Sequence, residues 1–457
     1  MSNNTTSQSV LFKEIADRPV TVRFDQEHSS SDGGCLLLKA LDERLGLSSA
    51  LSACLRDGRQ ASKVAHDLRA LLRQRLFGIA CGHADGNDAA GLADDPIHKM
   101  LVDRDPLSGR ALASQPTLSR FENAVGPKEL IRLAETLADT VIQRHRRRKR
   151  QVRRITLDFD PTHDPAHGQQ QLSLFNWVYD TRCYLPLAGF VSFDDEAEQY
   201  LLAYVLRAGN ALAKQGLLGV LDRLLPKLRA AFPKARVRIR LDAGFTGSEL
   251  YDYFEAHHLE YVVCMGKNPV LQRQAEPLLE PLRAAVADGE VPQAMFGECL
   301  YRAGTWKCDR RVIIKASIAQ HPGRKPKDNP RFVVTNLKGD PQRIYEQIYC
   351  ARGDAENRIK ELKDGLQIDR TSCTSFHANQ FRALITAAAY VLMQELRLQA
   401  RHGSCAKAQV STLRLRLLKL GAWVERSVRR IVIHLPMHTP HAMDWHRIAR
   451  SVGAIPT

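Results

Sequence analysis

The chain has 457 residues, a formal net charge of +16 at pH 7 and 44% hydrophobic residues. This length exceeds the size at which one hydrophobic core keeps growing, so we expect several domains, and the positive charge suits a polyanion such as DNA. No stretch approaches the roughly 18 apolar residues that span a bilayer and no secretory signal opens the sequence, which argues against a membrane partner and predicts a cytoplasmic, nucleoid-associated protein.

The ten cysteines form no CxxC pair and no cluster with histidine at the spacing of a zinc site. Cys81-Gly82-His83 comes nearest to such a site, but it lacks partners close by in the sequence. We therefore expect reduced thiols in the protein interior.

The N-terminal third is predicted to be a disordered tail over residues 1–20 and a helical DNA-binding domain over residues 21–150. Apolar residues recur at helical spacing from Cys35 to Leu47 and from Val64 to Ile79. Basic residues lie on the other face of the second segment. Solvated amphipathic helices give the same pattern, and no helix-turn-helix can be assigned.

A basic run of eight Lys or Arg residues without an acid lies between Arg144 and Arg154. A solvated helix end is one interpretation of such a run. Because it directly precedes the next predicted strand, we expect it to meet DNA that binds at that strand. The expected phosphate contacts are Arg146, Arg147, Arg148, Lys149 and Arg150.

After this run the pattern changes to alternating strands and helices. The predicted elements are a strand at 155–160, β-rich runs at 172–179 and 185–193, a helix within 196–232, a strand at 237–242, a short helix and a strand at 261–264. This is the order of an RNase H-like α/β core, in which helices cover a mixed sheet. Further β-rich runs follow up to residue 334, then two closing helices within 345–366 and 376–398, and a late strand or extended arm at 426–435.

Two aspartates are predicted at the ends of strands. Asp160 and Asp242 each close an apolar, β-like run, in the fragments Asp158-Phe159-Asp160-Pro161-Thr162 and Leu241-Asp242-Ala243-Gly244-Phe245. Either fragment alone is also compatible with an ordinary turn. Asp158 lies on the same polar face of its strand as Asp160 and is the alternative ligand there.

A third fragment has the spacing Y-x2-R-x3-E-x6-K, carried by Tyr349, Arg352, Glu356 and Lys363. On an α-helix these residues fall at about 0°, 300°, 340° and 320°, which makes one narrow stripe. A helical glutamate and two strand-end aspartates can hold two Mg²⁺ ions, and the flanking cations can hold phosphates. A chance match to this four-residue pattern is improbable, although Glu356 with Lys360 alone would be an ordinary surface pair.

In this order and spacing, the three fragments resemble a DDE-type insertion-sequence transposase of the group with a YREK signature. The resemblance covers roughly residues 20 to 400. It implies an RNase H-like core at 151–268 and 339–400, an all-β insertion domain at 269–338, and a C-terminal region, 401–457, that makes dimer or DNA contacts.

The resemblance also implies the roles of individual residues. Asp160, Asp242 and Glu356 would be the catalytic metal ligands for two Mg²⁺ ions, with Mn²⁺ able to substitute. Tyr349, Arg352 and Lys363 would contact phosphates of the transposon end. Trp306, in the insertion domain, would stack on a displaced base, unless it packs in the core of that domain.

The implied function is a transposase that binds the terminal inverted repeats of its element, cleaves the ends and joins the 3′-OH groups to target DNA. Double-stranded DNA is the expected partner, bound by a homodimer. Another RNase H-like nuclease and a domesticated, non-catalytic DNA-binding protein are the alternatives. The loss of a carboxylate would favour the second alternative, and none of the three is lost.

Overall fold

The computed structural model describes residues 9–149, 151–194 and 196–455. Within these ranges, no helix is both long enough and apolar enough to cross a membrane. The fold is built on one large mixed β-sheet with helices packed against it, together with four small sheets.

The strands alternate with helices through the middle of the chain and are concentrated between residues 154 and 335. They are β1 (Val10–Ile15), β2 (Arg18–Val22), β3 (Ser29–Ser30), β4 (Arg154–Pro161), β5 (Asp164–Pro165), β6 (Leu174–Asn176), β7 (Thr181–Tyr184), β8 (Leu187–Phe193), β9 (Tyr200–Val205), β10 (Arg236–Leu241), β11 (Glu260–Met265), β12 (Met295–Tyr301), β13 (Arg310–Ala316), β14 (Ile318–Ala319), β15 (Lys327–Asp328), β16 (Arg331–Thr335), β17 (Ala422–Arg426) and β18 (Ile431–His434).

The helices lie mainly before β4 and after β16. They are α1 (Leu36–Leu45), α2 (Leu47–Ala53), α3 (Leu68–Cys81), α4 (Pro96–Leu101), α5 (Gln115–Asn123), α6 (Pro127–Arg148), α7 (Leu217–Ala231), α8 (Ser248–Ala256), α9 (Pro269–Ala287), α10 (Pro341–Arg343), α11 (Asp354–Lys360), α12 (Phe376–Gln399), α13 (Val410–Leu413) and α14 (Ala442–Ser451).

The large sheet has eight strands in the order β12-β13-β16-β11-β10-β4-β8-β9. Strand β10 runs parallel to both β4 and β11, and the other neighbours are antiparallel. This mixed sheet with flanking helices is consistent with the predicted RNase H-like core.

The centre of the sheet is buried on both faces, which explains why β8 is an almost continuous apolar run. Gly189 in β8 is required by packing, because a Cβ there would lie 2.5 Å from the ring of Phe159 in β4. Helix α12 covers the outer edge of β9. The amide oxygens of Gln380 and Gln394 accept hydrogen bonds from the backbone N–H groups of Leu206 and Leu201, at 2.6 and 3.1 Å. These bonds satisfy backbone groups that an edge strand would leave unpaired.

Two secondary-structure predictions need correction. Residues 10–22 form the antiparallel hairpin β1–β2, although a disordered tail was expected up to residue 20; residues 1–8 lie outside the described residues. The predicted helix at 196–232 begins only at Leu217, because Tyr200–Val205 pairs with β8 as strand β9. The leucines of both elements are buried, so apolar periodicity did not separate a short buried strand from the helix that follows.

The predicted all-β insertion domain is also corrected. Residues 269–287 form helix α9, which contains two internal prolines and buries Leu271, Ala275, Leu279 and Leu282. The strands β12, β13 and β16 that follow do not form a sheet of their own. They extend the large sheet beyond β11, through the antiparallel pairing of β11 with β16.

The N-terminal helices and the C-terminal segment pack together around a shared buried core. One hydrophobic cluster includes side chains of α1, α3, α6, the large sheet, α12 and β17. Strand β17 pairs with β3, and the backbone N–H of Gly33 donates to the carbonyl of Leu420 at 2.9 Å. Residues 29–33 are therefore joined to residues 420–423 in this fold.

Candidate active site

Asp160 and Asp242 lie at the C-terminal ends of two neighbouring strands in the middle of the large sheet. Their strands, β4 and β10, are parallel neighbours, and Arg240 is the register partner of Asp158. Because successive residues point to opposite faces of a strand, residues two positions further along each strand lie on the same face. The local sequence thus brings these two carboxylates to the same end of two adjacent strands.

The carboxylate of Asp242 uses one oxygen to cap a turn and directs the other towards Arg352. Its Oδ1 accepts a hydrogen bond from the backbone N–H of Gly244 at 2.9 Å, which caps a 3₁₀ turn at Ala243–Phe245. Its Oδ2 lies 3.8 Å from the guanidinium of Arg352. The turn interpretation of this fragment is therefore compatible with a functional role.

The segment with the YREK spacing is helical but not a uniform α-helix. A π-helical turn at Ile344–Tyr349 and a 3₁₀ turn at Cys350–Gly353 precede α11, and a second π-helical turn covers Glu361–Gly365. Widened turns of this kind are frequent at functional sites. They alter the narrow stripe that ideal α-helical geometry predicts.

Arg352 is the buried cation between the three acids. Its Nη2 lies 2.9 Å from Oδ1 of Asp160 and 3.8 Å from Oδ2 of Asp242, and its Nη1 lies 3.9 Å from Oε1 of Glu356. The Glu356 side chain is 64% exposed, whereas Asp160 is nearly buried. The carboxylates surround one guanidinium, but no set of one oxygen from each lies within 4.8 Å.

The pKa of Asp160 is raised to about 7. Burial is the largest cause, and Asp242 and Glu356 raise it further, while Arg352 opposes them. The positive charge of Arg352 therefore does not fully compensate for burial and for the two neighbouring acids. A divalent cation would supply the missing charge, and the carboxylate oxygens are the hard donors that Mg²⁺ and Mn²⁺ prefer.

Asp158, the alternative ligand, is held in an ion pair away from this group. Its two oxygens accept hydrogen bonds from Nε and Nη2 of Arg240 at 2.7 and 2.6 Å, and Gln199 donates to it at 3.0 Å. The residue is fully buried. Its hydrogen-bonding capacity is largely used in joining β4 to β10, which leaves Asp160 as the carboxylate that faces Arg352.

Lys363 and Tyr349 flank the acids. Lys363 Nζ donates a hydrogen bond to the backbone carbonyl of His163, three residues after Asp160, and lies 3.9 Å from Asp369. Tyr349 is half-buried against Tyr345, with ring centroids 5.5 Å apart, and burial raises the pKa of its phenol. Lys363 is thus close to the carboxylate edge of the sheet.

Trp306 is not an accessible stacking residue. It is 5% exposed, and its ring packs edge-on against Tyr251 and Tyr301 at 5.2 and 5.4 Å, with the Arg310 guanidinium 5.3 Å from the ring. In this structure the ring is therefore not accessible to a displaced base. The alternative, in which Trp306 belongs to the core, describes its environment.

The basic run lies at the opposite end of β4 from Asp160. Asp160 comes six positions after Arg154 along the strand, which is about 20 Å. DNA bound at the carboxylates therefore does not reach the basic run just because the two adjoin in sequence. That part of the prediction is corrected.

Most of the predicted phosphate contacts in the run are engaged within the protein. Arg146 donates to the carbonyls of Ala230 and Ala231, Arg148 pairs with Glu196, and Lys149 pairs with Asp194. Arg147 is exposed and has no ion pair within the described ranges, and Arg150 lies outside the described residues. Arg147 also lines a groove with Arg153, Lys234 and Arg236.

The sequence interpretation missed an aromatic hairpin beside the acids. Strands β6 and β7 pair, and the loop between them presents Trp177, 88% exposed, and Val178. The next residue, Tyr179, stacks on His163 with ring centroids 4.6 Å apart. Burial raises the pKa of Tyr179, and Asp160 and Asp242 add to the shift, which places the hairpin near both carboxylates. The signal was available, since Asn176 and Asp180 favour a turn and three apolar or aromatic residues lie between them.

Comparison with known proteins identifies the family. A family model described as "Transposase DDE domain group 1" matches residues 12–456. No curated protein matches the chain significantly. The family implies a metal-dependent enzyme that binds and cleaves DNA. With the acids gathered at one edge of the sheet and a family match over nearly its whole length, the chain belongs to the DDE-domain transposases of group 1.

Proposed function

We propose that this protein is a transposase of the YREK group that cleaves the terminal inverted repeats of its own element and joins the resulting 3′-OH ends to target DNA. The observation that carries the proposal is the convergence of Asp160, Asp242 and Glu356 on the buried guanidinium of Arg352. Three acids around one cation form a site with excess negative charge. A purely structural cluster would be more stable with fewer acids.

The proposed metal ligands fit divalent ions by their chemistry. Asp160 is the residue best placed to be a ligand of both ions, because it is buried in the site and both other acids raise its pKa. When bound, two divalent ions would activate the attacking oxygen and neutralise charge on the leaving oxygen. We propose Mg²⁺ as the natural ion, with Mn²⁺ able to replace it.

The cations of the signature would position the scissile phosphate. Arg352 is held in place by the acids, so its planar guanidinium is already oriented at the site before DNA arrives. The ammonium group of Lys363 donates to a backbone carbonyl in this structure, and it would donate to a phosphate oxygen instead when DNA is bound. Tyr349 would add a phenol donor from the same helical segment.

The aromatic hairpin would hold the DNA end beside the carboxylates. Exposed Trp177 and Val178 lie next to Tyr179, which stacks on a residue adjoining the site. Aromatic faces can stack on bases that leave the duplex, and end processing requires DNA to distort. In this proposal Trp177 takes the stacking role that the sequence suggested for Trp306.

The basic groove on the far edge of the sheet would be a separate DNA contact. Arg147, Arg153, Lys234 and Arg236 line it, at the end of β4 and β10 opposite the acids. A second surface of this kind suits either a neighbouring stretch of the same end or the DNA held by a partner copy. We propose that the protein binds DNA as a homodimer.

The experiment is to incubate purified protein and Mg²⁺ with DNA carrying the ends that flank its gene, and to map the strand breaks. The proposal predicts cleavage at the element boundary with 3′-OH termini, followed by joining to a second DNA. Binding without breaks in Mg²⁺ or Mn²⁺ would favour a non-catalytic DNA-binding protein. Breaks without sequence preference would favour another RNase H-like nuclease.

A further inference from the structure

A second group of potential ligands lies where the N-terminal helices meet the C-terminal segment. Asp32 is fully buried just before a 3₁₀ turn at Gly33–Cys35. The Nε2 atoms of His83 and His98 each lie 2.8 Å from its Oδ2. His83 follows α3, and His98 belongs to α4. None of these residues belongs to the carboxylate site.

Two buried thiols adjoin the same carboxylate. Cys35 ends the 3₁₀ turn and Cys81 ends α3, and their Sγ atoms lie 2.7 Å apart. The donor atoms of Asp32, Cys35 and Cys81 all lie within 4.8 Å of one another, as do those of Asp32, His83 and His98. Asp32 is thus shared by a thiol pair and an imidazole pair.

We propose that this cluster binds one divalent ion of the zinc class, through Cys35, Cys81, Asp32 and one of the two imidazoles. Thiolate and imidazole donors select zinc-like ions over Mg²⁺, which prefers oxygen ligands. Zinc takes four such ligands in a closed tetrahedral site, with bonds of about 2.0–2.3 Å, so its ligand atoms lie about 4 Å or less from one another. Each trio already has its donor atoms within 4.8 Å of one another, and one imidazole would have to move towards the thiols to complete the set of four.

A cationic side chain already lies beside Asp32. Lys419 Nζ lies 2.7 Å from Oδ1 of Asp32, although that buried oxygen receives no well-directed hydrogen bond within the described residues. Lys419 is about a quarter exposed and lies 3.2 Å from Nε2 of His83. Its flexible side chain can move into solvent when an ion supplies the positive charge.

The position of the cluster gives the ion a structural role. The carbonyl of Ala80 accepts a hydrogen bond from Arg414, and the N–H of Gly33 donates to the carbonyl of Leu420. An ion held by Asp32 and Cys81 would therefore fix the junction between the start of the fold and residues 414–420. Metal binding of this kind adds to folding stability.

The first test measures metal in protein purified under reducing conditions from cells grown with added zinc. Elemental analysis should find about one zinc ion per chain in the wild type. The variants Cys81→Ser and Asp32→Asn should lose it. The matched control is Cys308→Ser, which replaces an exposed cysteine and should keep the ion. Wild-type protein without zinc, or Cys81→Ser with unchanged zinc content, would overturn the proposal.

The second test uses wild-type protein alone, so it does not depend on how the variants fold. After removal of metal, added Co²⁺ should give thiolate-to-cobalt charge-transfer absorption and the visible bands of a tetrahedral site. Added Zn²⁺ should abolish these bands and raise the melting temperature, whereas Mg²⁺ should do neither. Absence of the cobalt bands from reduced protein would contradict the proposal. DNA cleavage is not part of either readout.

Discussion

The guanidinium of Arg352 lies 2.9 Å from the Asp160 carboxylate, yet the pKa of that carboxyl is raised to about 7. Burial and two further acids therefore outweigh a direct ion pair. The site holds more negative charge than its own arginine compensates, which is the condition in which an added cation stabilises the protein.

The contribution of Asp160 to the stability of the metal-free protein should fall as pH rises from about 4 to about 7. A carboxyl whose pKa is raised on folding binds more protons in the native state than in the unfolded state over this range, so deprotonation favours unfolding. The contribution of Asp160 is at most about 4 kcal/mol. Denaturant unfolding of wild type and Asp160→Asn should therefore diverge across this range, with the wild type losing more stability. Parallel pH profiles would show that Asp160 keeps an ordinary pKa.

Mg²⁺ binding should strengthen with pH below about 7, because an ion must displace the proton of Asp160. For one proton released, the apparent affinity rises about tenfold per pH unit in that range. Calorimetric titration in buffers of different ionisation enthalpy measures both the affinity and the proton count. An affinity independent of pH between about 5 and 7 would mean that Asp160 is already ionised without metal.

Loss of a phosphate contact should reduce the salt dependence of DNA binding. Arg352→Ala and Lys363→Ala should each weaken binding to end DNA and lower the slope of log affinity against log salt by about one unit. Lys360→Ala is the matched control, since Lys360 is exposed on the same helical segment. Equal slopes for Lys363→Ala and the control would remove Lys363 from the contact set.

Substitution of Trp306 should affect protein stability, whereas substitution of Trp177 should affect the processing of DNA. Trp306→Ala should lower the free energy of unfolding by about 3–5 kcal/mol, because it empties a buried aromatic site. All cleavage steps would then decline together as the folded fraction falls.

Trp177→Ala should leave stability within about 0.5 kcal/mol, since the side chain is exposed. If Trp177 stacks on a base, its loss should weaken a late complex with distorted DNA by about 1–3 kcal/mol and affect initial duplex binding less. Melting temperatures combined with step-resolved cleavage distinguish the two residues. Unchanged processing by Trp177→Ala would exclude the stacking role.

Much of the sheet could be predicted from the sequence, because alternation marks strands strongly where one face is polar. The strands that end near Asp160 and Asp242 are present, and their parallel pairing brings the two residues together. Strand β9 was missed because its leucines, buried in the sheet, continue the apolar pattern of the following helix. Local periodicity does not distinguish these two cases.

The details of the sites depend on contacts between distant parts of the chain. Nothing near Trp306 in the sequence indicates that Tyr251 packs against its ring. Cys81 and His83 likewise gain Cys35 and Asp32 only through tertiary packing.

The most direct test of the central claim is Mg²⁺-dependent cleavage of end DNA by variants that neutralise one acid each. Asp160→Asn, Asp242→Asn and Glu356→Gln should abolish strand breaks while keeping end binding, because each removes a metal ligand without removing a cation. Asp354→Asn, which changes an exposed acid on the helix that carries Glu356, should cleave at the wild-type rate. Near wild-type cleavage by any of the first three variants would contradict the assignment of that acid to the catalytic set.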